Sequence, residues 1–167
     1  MDLIRASLGN MRLSGEVYLK TIIRNIFAVV VGLVLGGSVN MALIIFGPLL
    51  IPPPAGVDVT NTQSIAASIH LFEPRHYVFP FLAHALGTLM GAFAAFLIAG
   101  SHRNVFATVI GVFFLAGGVA ASFMIPAPAW FITLDLVGAY LPMAWVGQWL
   151  GCYVVGRKLT DGSNPAA

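Results

Sequence analysis

From residue 25 to residue 57 the chain carries no ionisable side chain, and so long a run admits few folds. A helix needs roughly 20 apolar residues to cross a bilayer, so this stretch crosses once with residues to spare. It also ends abruptly. Pro52, Pro53 and Pro54 follow Ile51; proline cannot donate a backbone hydrogen bond and pushes the residue before it out of the α region. Consecutive prolines favour a stiff, extended left-handed conformation, which predicts a rigid strut leading to a turn at Ala55-Gly56.

Three further apolar windows follow. Together they predict crossings over about residues 22–51, 78–99, 105–125 and 136–155, with a surface helix over about 61–72 in the first outer loop. The expected fold class is all-α: a polytopic integral membrane protein with four transmembrane helices, forming one membrane domain over residues 1–167. Only 8% of the residues are charged, against roughly 25% in a soluble domain, so a water-soluble fold is excluded. Residues 2–20 read either as a short helix on the inner surface, carrying Ile4, Leu8 and Met11 at helical spacing, or as a frayed tail. Proline should bend the first crossing at Gly47-Pro48 and the fourth at Pro142, and Thr133 or Asp135 should cap the start of the fourth.

Charge sets the orientation. Arg5, Arg12, Lys20, Arg24, Arg103, Arg157 and Lys158 flank the crossings on one side, and Arg75 alone falls on the other. The positive-inside rule then puts both termini and the Arg103 turn in the cytoplasm, across a bacterial inner membrane. No basic cluster is interleaved with exposed aromatics, so these charges read as phospholipid contacts, and nucleic-acid binding is excluded. The first crossing is too long, and has too much polar chain before it, for a cleavable signal peptide. Cys152 is the single cysteine, which rules out an internal disulfide.

The halves share motifs. Ile-Pro-x-Pro-Ala occurs at residues 51–55 and 125–129, and a Gly-x-x-x-Gly pair precedes an aromatic at Gly87, Gly91, Phe93 and again at Gly147, Gly151, Tyr153. This is compatible with two tandem helical hairpins related by an axis along the membrane normal. With Gly32 and Gly36, these glycines form stripes on three helices that let backbones approach closely.

The loop Ile51-Pro52-Pro53-Pro54-Ala55-Gly56-Val57-Asp58, the run Ala85-Leu86-Gly87-Thr88 and the turn Ile125-Pro126-Ala127-Pro128-Ala129-Trp130-Phe131 carry a resemblance. Over roughly residues 25–155 the chain resembles a family of small four-helix bacterial membrane proteins with a PPPAG-x-D outer loop. The resemblance implies the fold and leaves the activity open.

Few polar groups lie within the crossings. Counted inward from the outer helix ends at 1.5 Å per residue, Asn40, Thr88 and Gln148 all lie about 15–18 Å deep, which predicts a meeting near the midplane. They read either as interhelical hydrogen bonding or as a site for a solute. His84 lies about 9 Å deep, near the expected depth of Tyr140; an ionisable residue there is a functional candidate, or else a neutral histidine bonded to the tyrosine or a carbonyl. His70, Glu73 and His76 do not share a helical face and Pro74 interrupts them, so no metal site is read, nor any cofactor motif or catalytic constellation.

Three functions compete on this evidence. An enzyme lacks a nucleophile with a base nearby. The surplus of glycine stripes favours a non-enzymatic subunit that self-associates, as a homo-oligomer, or docks on other membrane subunits within the lipid bilayer. A small oligomeric transporter or channel for a neutral or small ionic solute, using the midplane amides, is the alternative.

Overall fold

The computed structural model describes the backbone of residues 2–161 and the side chains of residues 15–156. Among these residues the chain forms α1 (Asp2–Leu50), α2 (Thr62–Ser68), α3 (Val78–Ile98), α4 (Arg103–Met124), α5 (Ala129–Gly138) and α6 (Leu141–Asp161), with short 3-10 turns at Ile69–Leu71 and Pro74–Tyr77 and no strand. Four stretches, Gly15–Leu50, Pro74–Ile98, Arg103–Met124 and Ala129–Gly156, are long and apolar enough to cross a membrane. The chain is an all-α, multi-pass membrane protein.

Two elements differ from the expectation. The first is α1, which is continuous from Asp2, so the basic leading segment extends the first crossing instead of forming a separate piece; the side chains of Ile4, Leu8 and Met11 lie outside the described residues. At its C-terminal end α1 passes through Pro48, and the Ile51 N–H still bonds the Gly47 carbonyl at 2.9 Å. The second is the fourth crossing, which begins at Ala129 rather than near residue 136. Pro128, extended at φ −60° and ψ 141°, is its N-cap residue. Thr133 and Asp135 therefore sit inside α5 and cap nothing. The Thr133 hydroxyl bonds back to the Ala129 carbonyl at 2.9 Å, and Asp135 is buried. The crossing breaks at Ala139-Tyr140 and resumes at Leu141. Pro142 thus falls in the first turn of α6, where a missing N–H has no helical partner to lose.

The centre of the bundle is α3, which packs on α1, α4 and α6. Its buried residues are mostly small: Ala83, Ala85, Gly87, Gly91, Ala92, Ala94 and Ala95. In lipid, helices associate by close van der Waals contact, which small residues permit. A Cβ at Gly32 would fall 2.8 Å from the Gly91 carbonyl oxygen, and one at Gly91 2.6 Å from that of Gly32; Gly36 and Gly87 repeat the contact at 2.6 and 2.8 Å. The backbones of α1 and α3 touch along this seam. On the other side of α3, Gly147 lies against the Leu89 carbonyl and Gly151 against the Phe96 ring. All six glycines are buried within this one chain. Gly147 and Gly151 meet α3 rather than α4, so the matching motifs of the two halves pack differently.

The end of the bundle at the α3–α4 turn is fastened by α1. Asn25, 8% exposed, accepts from the N–H groups of Gly100 and Ser101 at 2.8 and 3.3 Å, and its amide donates to the Ser101 hydroxyl at 2.9 Å. Arg24 donates to the Ile98 carbonyl at 2.6 Å, and Arg103 to that of Ala99 at 3.3 Å. The last carbonyls of α3 thereby receive cationic partners, as helix C-termini favour. At the opposite end, Asn61 caps α2 through Gln63 and Ser64. Asp58 accepts from the Thr60 hydroxyl and N–H at 2.6 and 2.9 Å, bonds that hold its carboxyl below the usual carboxylate range.

Candidate functional site

Three helical pieces deliver one polar cluster. His84, on the second turn of α3, directs Nδ1 to both carboxylate oxygens of Asp135 on α5, at 2.9 Å each. Tyr140, at the break between α5 and α6, donates its hydroxyl to Asp135 Oδ2 at 2.9 Å and stacks its ring on the imidazole at 5.6 Å between centroids. The break gives Tyr140 the freedom to turn inward, and Gly118 on α4 leaves it room: a Cβ there would collide with the Tyr140 hydroxyl. Asp135 and Tyr140 are 5% and 2% exposed. His84 is the partly open member, with 27% of its side chain exposed against 8% for Asp135. The carboxylate and phenol thus hold the imidazole in place, and the imidazole faces outward from them.

It faces a cavity of about 300 Å³ in the half of the bundle away from the α3–α4 turn, lined by α1, α3, α4, α5 and the loop between α1 and α3. The walls are mostly apolar, including Ile44, Phe79, Ala121 and Leu136. Ile65 and Ile69, with Phe72, also line it, so the apolar side of α2 and the turn after it covers the cavity instead of lying on open membrane surface. Tyr77 lines it too, with its ring against Phe131 at 4.7 Å and Trp130 at 5.5 Å.

No family model, curated protein or solved structure matches this chain. Its chemistry is therefore read from its own residues.

Of the polar residues singled out in the sequence, His84 and Tyr140 come together, stacked on each other and both hydrogen-bonded to Asp135. Thr88 is adjacent: it is 1% exposed and its hydroxyl bonds the His84 carbonyl at 2.7 Å, within α3. Asn40 lies beside Gly87, its Cβ 3.0 Å from where a Gly87 Cβ would stand. Gln148 turns away and donates to Thr108 on α4 at 2.9 Å, on the exterior of the bundle. Among the described residues no hydrogen bond joins Asn40, Thr88 and Gln148, so the expected midplane meeting does not form. Asn40 and Thr88 lie near one another on α1 and α3, whereas Gln148 sits closer to the α3–α4 turn, level with Thr108 on α4. His76 accepts the Glu73 N–H at 2.9 Å, and Glu73 pairs with Arg75 at 3.1 Å, a local cap on the 3-10 turn.

Asp135 is the member of this cluster that sequence reasoning missed. An aspartate just before an apolar run reads as an N-cap, and here that reading is wrong by almost two turns. The signal was upstream: a helix can begin directly after Pro128, which places Asp135 well inside the crossing. A carboxylate there demands a partner, and His84 was the nearest candidate by depth.

Proposed function

We propose that this protein binds a small, largely apolar molecule within the membrane, in the cavity beside His84. One observation carries the reading: an ionisable His84–Asp135 pair, braced by Tyr140, on the wall of an otherwise apolar cavity of about 300 Å³. Ionisable groups in a crossing are costly and mark sites of use, and the volume falls at the small end of ligand pockets. The inner half supports binding over passage, because Ala92, Ala95, Ala107 and Ile110 pack there as a closed core. We further propose a bacterial inner membrane with both termini and the α3–α4 turn cytoplasmic, so that the cavity serves the outer leaflet.

The orientation has a direct test. Cysteines placed singly at Ser64 and His102 in a Cys152→Ser background are challenged with an impermeant thiol reagent on intact cells. Labelling is expected at 64 alone; labelling at 102 inverts the proposal.

A self-associating or accessory subunit is the second reading. The glycine stripes no longer favour it, since they are consumed within the chain. What favours it is the Gln148–Thr108 pair, an amide and a hydroxyl on the outer surface of the crossings, where another protein would shield them better than lipid. One purification in gentle detergent weighs both readings. Binding predicts that wild-type protein carries a stoichiometric small molecule, released by solvent extraction and lost from Ala121→Phe, which fills the cavity. Equal amounts in both forms would sink it. A defined multimer or a co-purified membrane protein, lost on Gln148→Leu, would promote the subunit instead.

A further inference from the structure

The apolar cavity adjoins a second space of different chemistry. A groove lined by Leu50, Pro52, Glu73 and Arg75 shares Ile51, Pro53 and His76 with the cavity wall. It carries a guanidinium, a carboxylate and an imidazole within four consecutive residues. Arg75 and Glu73 pair at 3.1 Å, yet their side chains stay 64% and 61% exposed. Both therefore keep hydrogen-bonding positions for a further group. His76 Nδ1 accepts the Glu73 N–H at 2.9 Å, which leaves Nε2 as its free donor.

The cavity itself borders the bilayer between α1 and α4. Ile110 lies 2.9 Å from where a Cβ on Gly32 would stand, and Phe114 2.8 Å from one on Gly36. The two helices thus touch in parallel register. Carried two and three turns onward, that register sets Ile44 beside Ser122 and Pro48 beside Pro126. All four line the cavity. Helices that meet below are parted above, and the gap lies within two crossings. In a water-soluble protein such a space stays dry; here the surrounding solvent is itself hydrocarbon. An unfilled space forfeits dispersion contacts along its walls, so a lipid chain fills it favourably. An apolar cavity of about 150 Å³ holds benzene, so one of about 300 Å³ has room for roughly a dozen carbons.

Resting on the binding function proposed above, we infer that the occupant is a phospholipid, and that groove and cavity form one site for its two parts. One acyl chain enters between α1 and α4 and fills the cavity, while the headgroup stays in the groove. The phosphate accepts from Arg75 and His76, and the amine donates to Glu73. Paired Arg75 and Glu73 leave the groove without net charge, which suits a zwitterionic headgroup better than an anionic one. A primary ammonium can donate to Glu73 and a quaternary one cannot, so the class narrows to phosphatidylethanolamine.

The test is native mass spectrometry of the full chain, stripped of lipid in detergent and titrated with dioleoyl phosphatidylethanolamine, phosphatidylcholine and phosphatidylglycerol. A single phosphatidylethanolamine is expected to bind, about threefold or more tighter than either other lipid. Arg75→Gln should weaken it about threefold to tenfold, the worth of one hydrogen bond. Glu73→Gln should remove the preference over phosphatidylglycerol. Both side chains are exposed, so neither substitution endangers the fold. A preference for phosphatidylglycerol, or equal affinity for all three lipids unmoved by either substitution, overturns the headgroup site. A stoichiometric molecule that is lost on Ala121→Phe but is not a phospholipid overturns the lipid and leaves the cavity function standing. If wild-type protein carries nothing that Ala121→Phe loses, both fall.

Discussion

Replacing Asp135 by alanine is expected to lower stability by about 3–5 kcal/mol, the usual consequence of removing one partner of a buried pair. The carboxylate holds two groups at once, the His84 imidazole and the Tyr140 hydroxyl. Its loss leaves both without a partner beside a space of several missing atoms. Asp135→Asn keeps an acceptor for one of them and should cost less, on the order of 1–2 kcal/mol. Tyr140→Phe deletes a single bond, and such bonds average roughly 0.6 kcal/mol in membrane bundles. Reversible unfolding in mixed detergent would rank the three. An Asp135→Ala variant no weaker than Tyr140→Phe would mean that the cluster does not hold α5 against α3.

The second large effect is expected at the α1–α3 seam. Gly36→Ala puts a methyl group 2.6 Å from the Gly87 carbonyl oxygen and within 3 Å of the Phe114 ring. The carbonyl belongs to a helix backbone and cannot rotate aside, so the helices must separate and lose contact along several turns. Overpacking of this kind costs about 1–3 kcal/mol or more. The neighbouring residue is the control, because a Cβ at Gly37 meets nothing within 4 Å. Gly37→Ala should gain up to about 1 kcal/mol from helix propensity alone. The two substitutions are chemically identical and adjacent, so opposite signs in the same unfolding assay isolate the seam. Equal effects would show that α1 does not pack here.

Crossings were readable because hydropathy and proline act locally. Pro126 stops α4, Pro52 follows the end of α1, and the Arg103 turn separates α3 from α4, each within a residue or two of expectation. Counting from the helix ends brought His84 level with Tyr140, but the earlier start of the fourth crossing at Ala129 displaces Gln148 from the depth of Asn40 and Thr88. Rotation about the helix axis was not readable. Gln148 turns to Thr108 on α4 while Thr88 is buried in α3, and only the contacts of α3 with three neighbours decide such directions. The glycine stripes announced close packing without naming the partner, and an internal seam uses the same residues as an external one. Asp135 was lost for a different reason. Its local surroundings imitate a helix start, and only the true beginning at Ala129 reveals an acid inside the crossing.

The clamp at the α3–α4 turn bears on the order in which the molecule is made. Asn25 fastens Gly100 and Ser101, residues that leave the ribosome some 75 positions later, and Arg24 closes the end of α3 across a similar interval. The turn between α3 and α4, with His102 in the left-handed region at φ 45°, is therefore not a local motif. It is a socket kept by the first segment for a later one. A crossing already seated in the bilayer determines where a subsequent crossing stops and reverses.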